Sequence, residues 1–458
     1  MNRLRPRMMP SKDSEQKEMG QAVRIEKLVH GGQGLGRLPD GKVVLVEGAL
    51  PGEEVRICVL TERGSHLEAA VAAVLEASAE RAAAPCPFYA DCGGCNLQHA
   101  VYAAQLRMKT EIVAESLQRA GVEMTEAVLA PAKPSPQQFA YRYRLRLHLG
   151  DDGSFGFHRR RSNSLVPVDR CLLATEGINA ALGRIAQERQ CIAQLAPYAQ
   201  ALEFNHCPAS GRIALVLHGS NLRDGRVLKP LSRMCACLGG MADWISTAQG
   251  QVLYPLGMAG QDLFLHRQFS HSGLSYKLRW PPHAFFQVNC RQNEELVTLA
   301  MDAADAPKMA LDLFCGSGNF SIPLALLGAQ VLGIECSAAG IRWARRNGKE
   351  AGLGRIRFIA TGAAAGLARL SREGARFDTI LLDPPRQGLG KAAALLPQLQ
   401  PRRIVSISCD PATHARDLRL MQAGGYRLIR LIPVDMFPQT HHVETLAVLE
   451  RTSANSGC

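Results

Sequence analysis

Residues 403–418 read RIVSISCDPATHARDL. The apolar run from Ile404 to Ser408 has the character of a buried parallel strand, and it stops abruptly on Cys409-Asp410-Pro411. A thiol at the carboxyl end of such a strand stands where open α/β sheets gather their ligands. A single cysteine is ordinarily a small core residue, so other groups must converge on it before it reads as a nucleophile. Four stretches offer them. In LDLFCGSGNF (311–320), Gly316 and Gly318 let the backbone turn tightly and approach a ligand. The next apolar run ends on Glu335, seventeen residues beyond Gly318, where a carboxylate can accept hydrogen bonds from ribose hydroxyls. LLDPPRQGL (381–389) carries Asp383 at a strand end, with two prolines stiffening the backbone behind it. QTHHVETLAVLER (439–451) places Glu444 at the start of a final run.

The glycine loop is G-x-G-N rather than G-x-G-x-x-G, and Asp312 precedes it. This pattern suits S-adenosylmethionine, which carries no pyrophosphate, better than a dinucleotide. A cysteine and a carboxylate beside a methyl donor suggest one reaction in particular. C5 of a pyrimidine is too weak a nucleophile to take a methyl group unaided. A thiolate adding to C6 makes C5 enolate-like, and a base must then remove the C5 proton so that the cysteine can leave.

Cys86, Cys92 and Cys95 form C-x5-C-x2-C, with Cys171 a candidate fourth ligand after a long gap. Clustered thiols of this kind suit zinc or an iron–sulfur cluster alike, and the spacing leaves both the metal and the fourth ligand open. In YRYRLRLHL (141–149), Arg142, Arg144 and Arg146 alternate with apolar residues, a strand with a basic outer face suited to phosphate contacts.

The elements that must position these groups follow from length and pattern. A chain of 458 residues needs several domains. With 47% hydrophobic and 21% charged residues it can build sizeable cores, and 53 Lys and Arg against 41 Asp and Glu point to a polyanionic partner. No apolar run of about 18 residues predicts a membrane span, and MNRLRPRMMPSKDSEQKEMG lacks the apolar segment of a signal peptide, reading instead as a disordered basic tail. Fourteen cysteines without an export signal are expected as thiols, ligands or catalysts in a reducing cytoplasm. Residues 21–77 hold about five strand-like runs between Gly and Pro turns, as a small OB-like β-barrel does. Residues 172–280 read as mixed α+β. From about 290, strand-like runs alternate with helical ones, the pattern of a doubly wound α/β sheet.

LDLFCGSGNF, LLDPPRQG, SCDPATHARDL and DMFPQTHHVETLAVLER together closely resemble the RNA uracil-5-methyltransferase family, over about residues 20–451. The resemblance implies a multidomain chain. A disordered tail (1–20) would precede a TRAM domain, the OB-like barrel (21–77), and a central α+β iron–sulfur and RNA-binding region (78–285). A C-terminal α/β Rossmann-like class I methyltransferase domain (286–451) and a short tail (452–458) would follow. It implies Cys409 as nucleophile and Glu444 as the base, with Gln287, Phe314, Asn319, Glu335 and Asp383 holding S-adenosylmethionine. It also implies a [4Fe–4S] cluster on Cys86, Cys92, Cys95 and Cys171. The expected substrate is 23S rRNA, with U1939 as target, in a cytoplasmic enzyme with no membrane association and no protein partner implied. The alternatives are a tRNA or another rRNA site, or a non-catalytic iron–sulfur RNA-binding protein. One departure stands out: where the family offers an acidic or amide residue to the adenine, this chain has FIATGAAAG, around Gly362.

Overall fold

Strands that must be buried on both faces read as unbroken apolar runs, and three of them anchor the C-terminal half of the chain. In the computed structural model, which describes residues 20–452 apart from 221, 223–224, 255–263 and 272, these are β15 (Met309–Leu313), β18 (Thr379–Leu382) and β19 (Arg403–Ser408). Apart from Gly20 and Thr452, the two expected tails lie outside the described residues. The chain forms two compact units. One holds the described residues to Tyr89 with Cys95–Met108 and Gln439–His441; the other holds Ala90–Gly94, Lys109–Pro438 and the described residues from His442.

The first unit contains the expected five-stranded barrel: β1 (Ala22–Leu28), β2 (Gly34–Arg37), β3 (Val43–Glu47), β4 (Glu54–Glu62) and β5 (His66–Glu76), closed in the order β1-β2-β3-β5-β4. Alternate residues, among them Val23, Ile25, Val44, Val46, Val55 and Ile57, fill its interior. Gly36 permits closure, since a Cβ there would meet the Arg24 carbonyl oxygen at 2.6 Å. Helix α1 (Tyr102–Ala120) follows.

The region read only as mixed α+β is a seven-stranded sheet. Its strands are β6 (Arg144–Leu149), β7 (Phe155–His158), β8 (Leu165–Pro167), β9 (Ala199–His206), β10 (Ile213–Gly219), β11 (Ala242–Thr247) and β12 (Val252–Tyr254). They are ordered β12-β11-β10-β9-β6-β7-β8. Helices α2 (Glu176–Ile185), α3 (Arg189–Leu195) and α4 (Leu228–Leu238) accompany it, and a hairpin of β13 (Leu265–His271) and β14 (Leu274–Trp280) follows.

Here the structure corrects the basic stripe. Arg146 lies directly opposite Glu203 across the β6–β9 pair. The buried Glu203 carboxylate accepts from Arg144 Nε at 2.8 Å, Arg146 Nη2 at 2.9 Å and His218 Nε2 at 3.2 Å. Burial alone would raise its pKa, but His218 and Arg144 overcome that and hold it at about 2. Arg142 sits with its guanidinium 5.8 Å from the Phe437 ring centre. Two of the three arginines therefore neutralise an internal acid instead of forming a free basic face.

The C-terminal sheet adds β16 (Gln330–Glu335), β17 (Ile356–Ala360), β20 (Tyr426–Val434) and β21 (Glu444–Arg451), in the order β17-β16-β15-β18-β19-β21-β20. All its pairings are parallel except those of β21. Helices α5 (Cys290–Ala304), α6 (Ser321–Leu326), α7 (Ala338–Glu350), α8 (Ala363–Arg372) and α9 (Pro411–Ala423) cover it. Alternation along the strands splits the core in two. Ile380, Leu382 and Ile404 pack with α8 and α9, whereas Leu381, Val405 and Ile407 pack with α5.

α1 is fixed to the segment after β20 by a fully buried ion pair. Lys109 Nζ donates to Asp435 Oδ1 at 2.5 Å and to the Phe437 carbonyl oxygen at 3.1 Å. Burial pushes the Lys109 pKa down while Asp435 opposes it. Removing one partner leaves the other charge buried alone, which costs about 3–5 kcal/mol. Lys109→Met should lose that much stability in urea unfolding, and Lys109→Met with Asp435→Leu should recover most of it.

Candidate active site

The sequence CDP is explained by the corner it makes. β19 ends at Ser408, Cys409 occupies the turn, and Asp410 caps α9 by accepting from Thr413 N at 2.9 Å. Pro411 then begins the helix, where its missing N–H costs nothing. Antiparallel pairing of β19 with β21 matches Ser408 to Thr445, so one further step sets Cys409 opposite Glu444. Thr445 Oγ1 reinforces this register by donating to the Ser408 carbonyl oxygen at 3.1 Å. Asp383 follows directly on β18, which pairs with both β15 and β19.

Burial governs the charges gathered here. It pushes the partly exposed Cys409 thiol up to about 11; Glu444 and Asp383 add to the rise and Arg386 opposes it. Glu444 is only 2% exposed. Its carboxyl is pushed well above the usual range, first by burial and then by Asp383, against Arg386. Asp383 still reaches the crevice surface, yet enclosure raises it to about 7. At the end of β15, Asp312 is raised to about 7 by burial, with Asp383 and Glu335 contributing and Ser321 opposing. Its Oδ1 is buried with no hydrogen-bond partner among the described residues. An edge with four acids, a thiol and an orphaned carboxylate oxygen favours a cationic ligand, and the sulfonium of S-adenosylmethionine is one.

The glycine loop starts from a strained residue. Phe314 has φ +63°, a left-handed conformation costly for a side chain of its size, followed by Gly316 at +53° and Gly318 at +95°. Glu335 is held at this loop: Oε2 accepts from Gly316 N at 3.3 Å and Oε1 from Ser337 N at 2.8 Å. Asn319 and Asn293 of α5 pair amide to amide, at 2.9 and 3.0 Å. Gln287 is buried just before α5 and lines a small recess with Tyr143, Trp280 and Phe286. Beyond β17, Gly362 starts α8 with no side-chain cap.

α9 does more than present the thiol corner. Thr413 Oγ1 donates to the Arg386 carbonyl oxygen at 2.9 Å, and Arg416 Nη2 to that of Gln387 at 2.7 Å. Asp417 accepts from Leu389 N at 2.6 Å and Gly390 N at 3.1 Å. The stretch THARD is thus the clamp of the loop LLDPPRQGL. Sequence reading missed this, because bonds to backbone leave no pattern in the residues they hold. His414 was missed as well. Buried between the strands, its Nδ1 lies 2.6 Å from Thr445 Oγ1 and its Nε2 3.0 Å from Ser406 Oγ. Since Thr445 spends its proton on Ser408, Nδ1 must donate and Nε2 accept. That fixes a neutral tautomer, in keeping with burial that pushes the pKa down to about 3.

Cys86, Cys92, Cys95 and Cys171 are all partly exposed, unlike the core thiols Cys191, Cys207, Cys290 and Cys315. Gly94 N donates to Cys92 Sγ at 3.4 Å. Cys86 and Cys95 belong to the first compact unit, Cys92 and Cys171 to the second. Among the described residues, no three His, Cys, Asp or Glu side chains are gathered to hold a metal ion. No described helix is long and apolar enough to cross a membrane.

Comparison with known proteins agrees with this architecture. Residues 101–452 match the tRNA (uracil-5-)-methyltransferase family model, and residues 20–71 match the TRAM domain. A Pseudomonas putida protein named 23S rRNA (uracil(1939)-C(5))-methyltransferase RlmD is 34% identical over 437 residues, 94% of this chain and 93% of its own. An uncharacterized RNA methyltransferase of Aquifex aeolicus is 34% identical over 434 residues, 93% of this chain and 98% of its own. The crystal structure of Pyrococcus abyssi tRNA (uracil-54, C5)-methyltransferase with S-adenosyl-L-homocysteine shares the fold, with a TM-score of 0.69 and 24% identity over 94% of this chain and 100% of that one. With a matched model spanning most of its length and relatives similar from end to end, the chain belongs to the tRNA (uracil-5-)-methyltransferase family and carries a TRAM domain ahead of the region that defines it.

Proposed function

We propose that this chain is a cytoplasmic enzyme that methylates C5 of a uridine in 23S rRNA, at the position corresponding to U1939, through a covalent adduct of Cys409 with C6. The observation that carries the reading is the β19–β21 register, Ser408 against Thr445, which brings Glu444 close enough to act on the Cys409 thiol at the carboxyl edge of the sheet. The naming of full-length relatives supports the substrate. Gln287, Phe314, Asn319, Glu335 and Asp383 form the donor site: Glu335 receives the ribose hydroxyls, and Asp383 and Asp312 receive positive charge. Bound S-adenosylmethionine supplies an electrophilic methyl group. The Cys409 thiolate adds to C6 and drives the electron pair onto C5, which then takes the methyl group. Glu444 removes the C5 proton, the C5–C6 double bond re-forms, and the thiolate leaves. A uridine inside folded RNA must first be turned out of its stack. Mapping 5-methyluridine in 23S rRNA from cells with and without this protein tests the assignment. An unmodified 23S rRNA alongside methylated tRNA would move the substrate to tRNA.

Glu444→Gln keeps the side chain's shape and removes its basicity. It should accumulate a methylated RNA–protein adduct that survives denaturing electrophoresis, whereas Cys409→Ala should yield neither adduct nor product. Product from Cys409→Ala would return Cys409 to the core.

The raised thiol pKa has its own consequence. Only the thiolate reacts with alkylating agents, so in the ligand-free chain Cys409 should alkylate slowly at pH 7 and faster as pH climbs towards about 11. At fixed pH, S-adenosylmethionine should speed that reaction several-fold relative to S-adenosylhomocysteine, whose sulfur carries no charge. Equal rates by mass spectrometry would mean that the sulfonium does not act on the thiol.

Cys86, Cys92, Cys95 and Cys171 are, in this reading, the ligands of a [4Fe–4S] cluster with a structural or RNA-positioning role. Four sulfur donors are the ligand type such a cluster takes, and loading it would have to gather them. Protein purified without oxygen should contain iron and acid-labile sulfide at about four each per chain. Stoichiometric zinc without sulfide would overturn the assignment.

A further inference from the structure

The surplus of basic residues points to a polyanion, yet Arg144 and Arg146 are occupied by Glu203. A second concentration of positive charge lies elsewhere. Between Arg342 and Arg376 the chain has nine Lys and Arg and two acids, Glu350 and Glu373. Both acids are already engaged, Glu350 by Arg279 and Arg346 and Glu373 by Arg369.

Five of these cations line an open groove of about 1200 Å³ along the edge strand β17. α7 contributes Arg345 and Lys349, four residues apart and so on one helix face. Arg355, just before β17, and Arg357, within it, are two residues apart and so project to one side. Arg369 enters from α8, on the opposite face of the sheet from α7, as right-handed crossovers require. Arg345 Nη2 donates to the Phe358 carbonyl oxygen at 2.9 Å. Lys349, Arg355 and Arg357 are exposed, and among the described residues no carboxylate holds them. The groove's aromatic residues, Phe358 and Phe377, are each 6% exposed, so it offers charge without the anchor a protein partner would use.

We infer that this groove docks the phosphate backbone of the substrate RNA at a site remote from the target uridine. The inference rests on the RNA-methylation reading above. Four strand spacings separate β17 from the Cys409 strand, about 19 Å, a distance bridged by a folded RNA larger than the target loop.

The test is the triple variant Lys349→Ala, Arg355→Ala, Arg357→Ala, with binding to a folded 23S rRNA fragment measured by fluorescence anisotropy over a range of salt. Each lost phosphate contact removes roughly 0.7–0.9 from the slope of log affinity against log salt, so the slope should fall by about 2. Affinity at low salt should drop at least tenfold. Methylation of a short hairpin carrying only the target should stay at wild-type level, and the corresponding triple Arg or Lys exchange that keeps every charge should restore binding. An unchanged slope in the folded variant would overturn the inference, leaving these cations as guards against edge-to-edge sheet pairing. Loss of a ribosomal protein instead of RNA would overturn it in favour of a protein surface. Should the wild-type chain transfer no methyl group to 23S rRNA, the substrate assignment falls, and the salt slope still decides the groove.

Discussion

Register between β19 and β21 is the constraint on which the candidate chemistry depends. Side chains alternate along a strand, so a slip of one residue would turn Glu444 to the other face of the sheet from the crevice that Cys409 enters. With both faces of β19 and β21 buried, apolar patterning alone opposes such a slip less sharply than it would in a strand with one face in water. The neutral imidazole of His414 adds a specific lock, because it reads Ser406 on one strand and Thr445 on the other at once. The antiparallel turn of β21 is what makes the opposition possible. A parallel last strand would have carried Glu444 to the far end of the sheet.

The same edge raises the proton affinity of the groups it gathers. Burial and mutual repulsion favour a protonated thiol and neutral carboxyls in the ligand-free chain. Arriving positive charge reverses each of these preferences together, since a nearby cation favours every anionic form. The electrostatics thus tie deprotonation of the Cys409 thiol to the presence of a charged ligand, with Arg386 opposing part of the rise.

Much of this was legible in the chain itself. Apolar runs ending on Cys409, Asp383 and Glu335 announced both the parallel sheet and the edge where groups converge, because such strands are buried on both faces and ligands gather at their carboxyl ends. The barrel was legible from turn residues. What stayed hidden was non-local. Arg146 alternates correctly for an outer face, but its partner Glu203 lies 57 residues away, and no local pattern reports it. Nothing local marks Lys109 for burial, since its partner Asp435 lies 326 residues on. The middle sheet resisted reading for the same reason: β6 pairs with β9 across an intervening hairpin arm and two helices.

The clamp of α9 on the LLDPPRQGL loop sets how this site can vary over evolutionary time. Thr413, Arg416 and Asp417 hold Arg386, Gln387, Leu389 and Gly390 through backbone atoms alone. The side chain of Gln387 is therefore open to exchange without loss of grip, whereas Gly388, at φ +70°, is not: a Cβ there would collide with Asp417 Oδ2. Loop length has no such freedom: one inserted or deleted residue would carry the N–H pair of Leu389 and Gly390 out of reach of Asp417 and shift Asp383 with it. At Gln387 substitution is tolerated where a change in length is not.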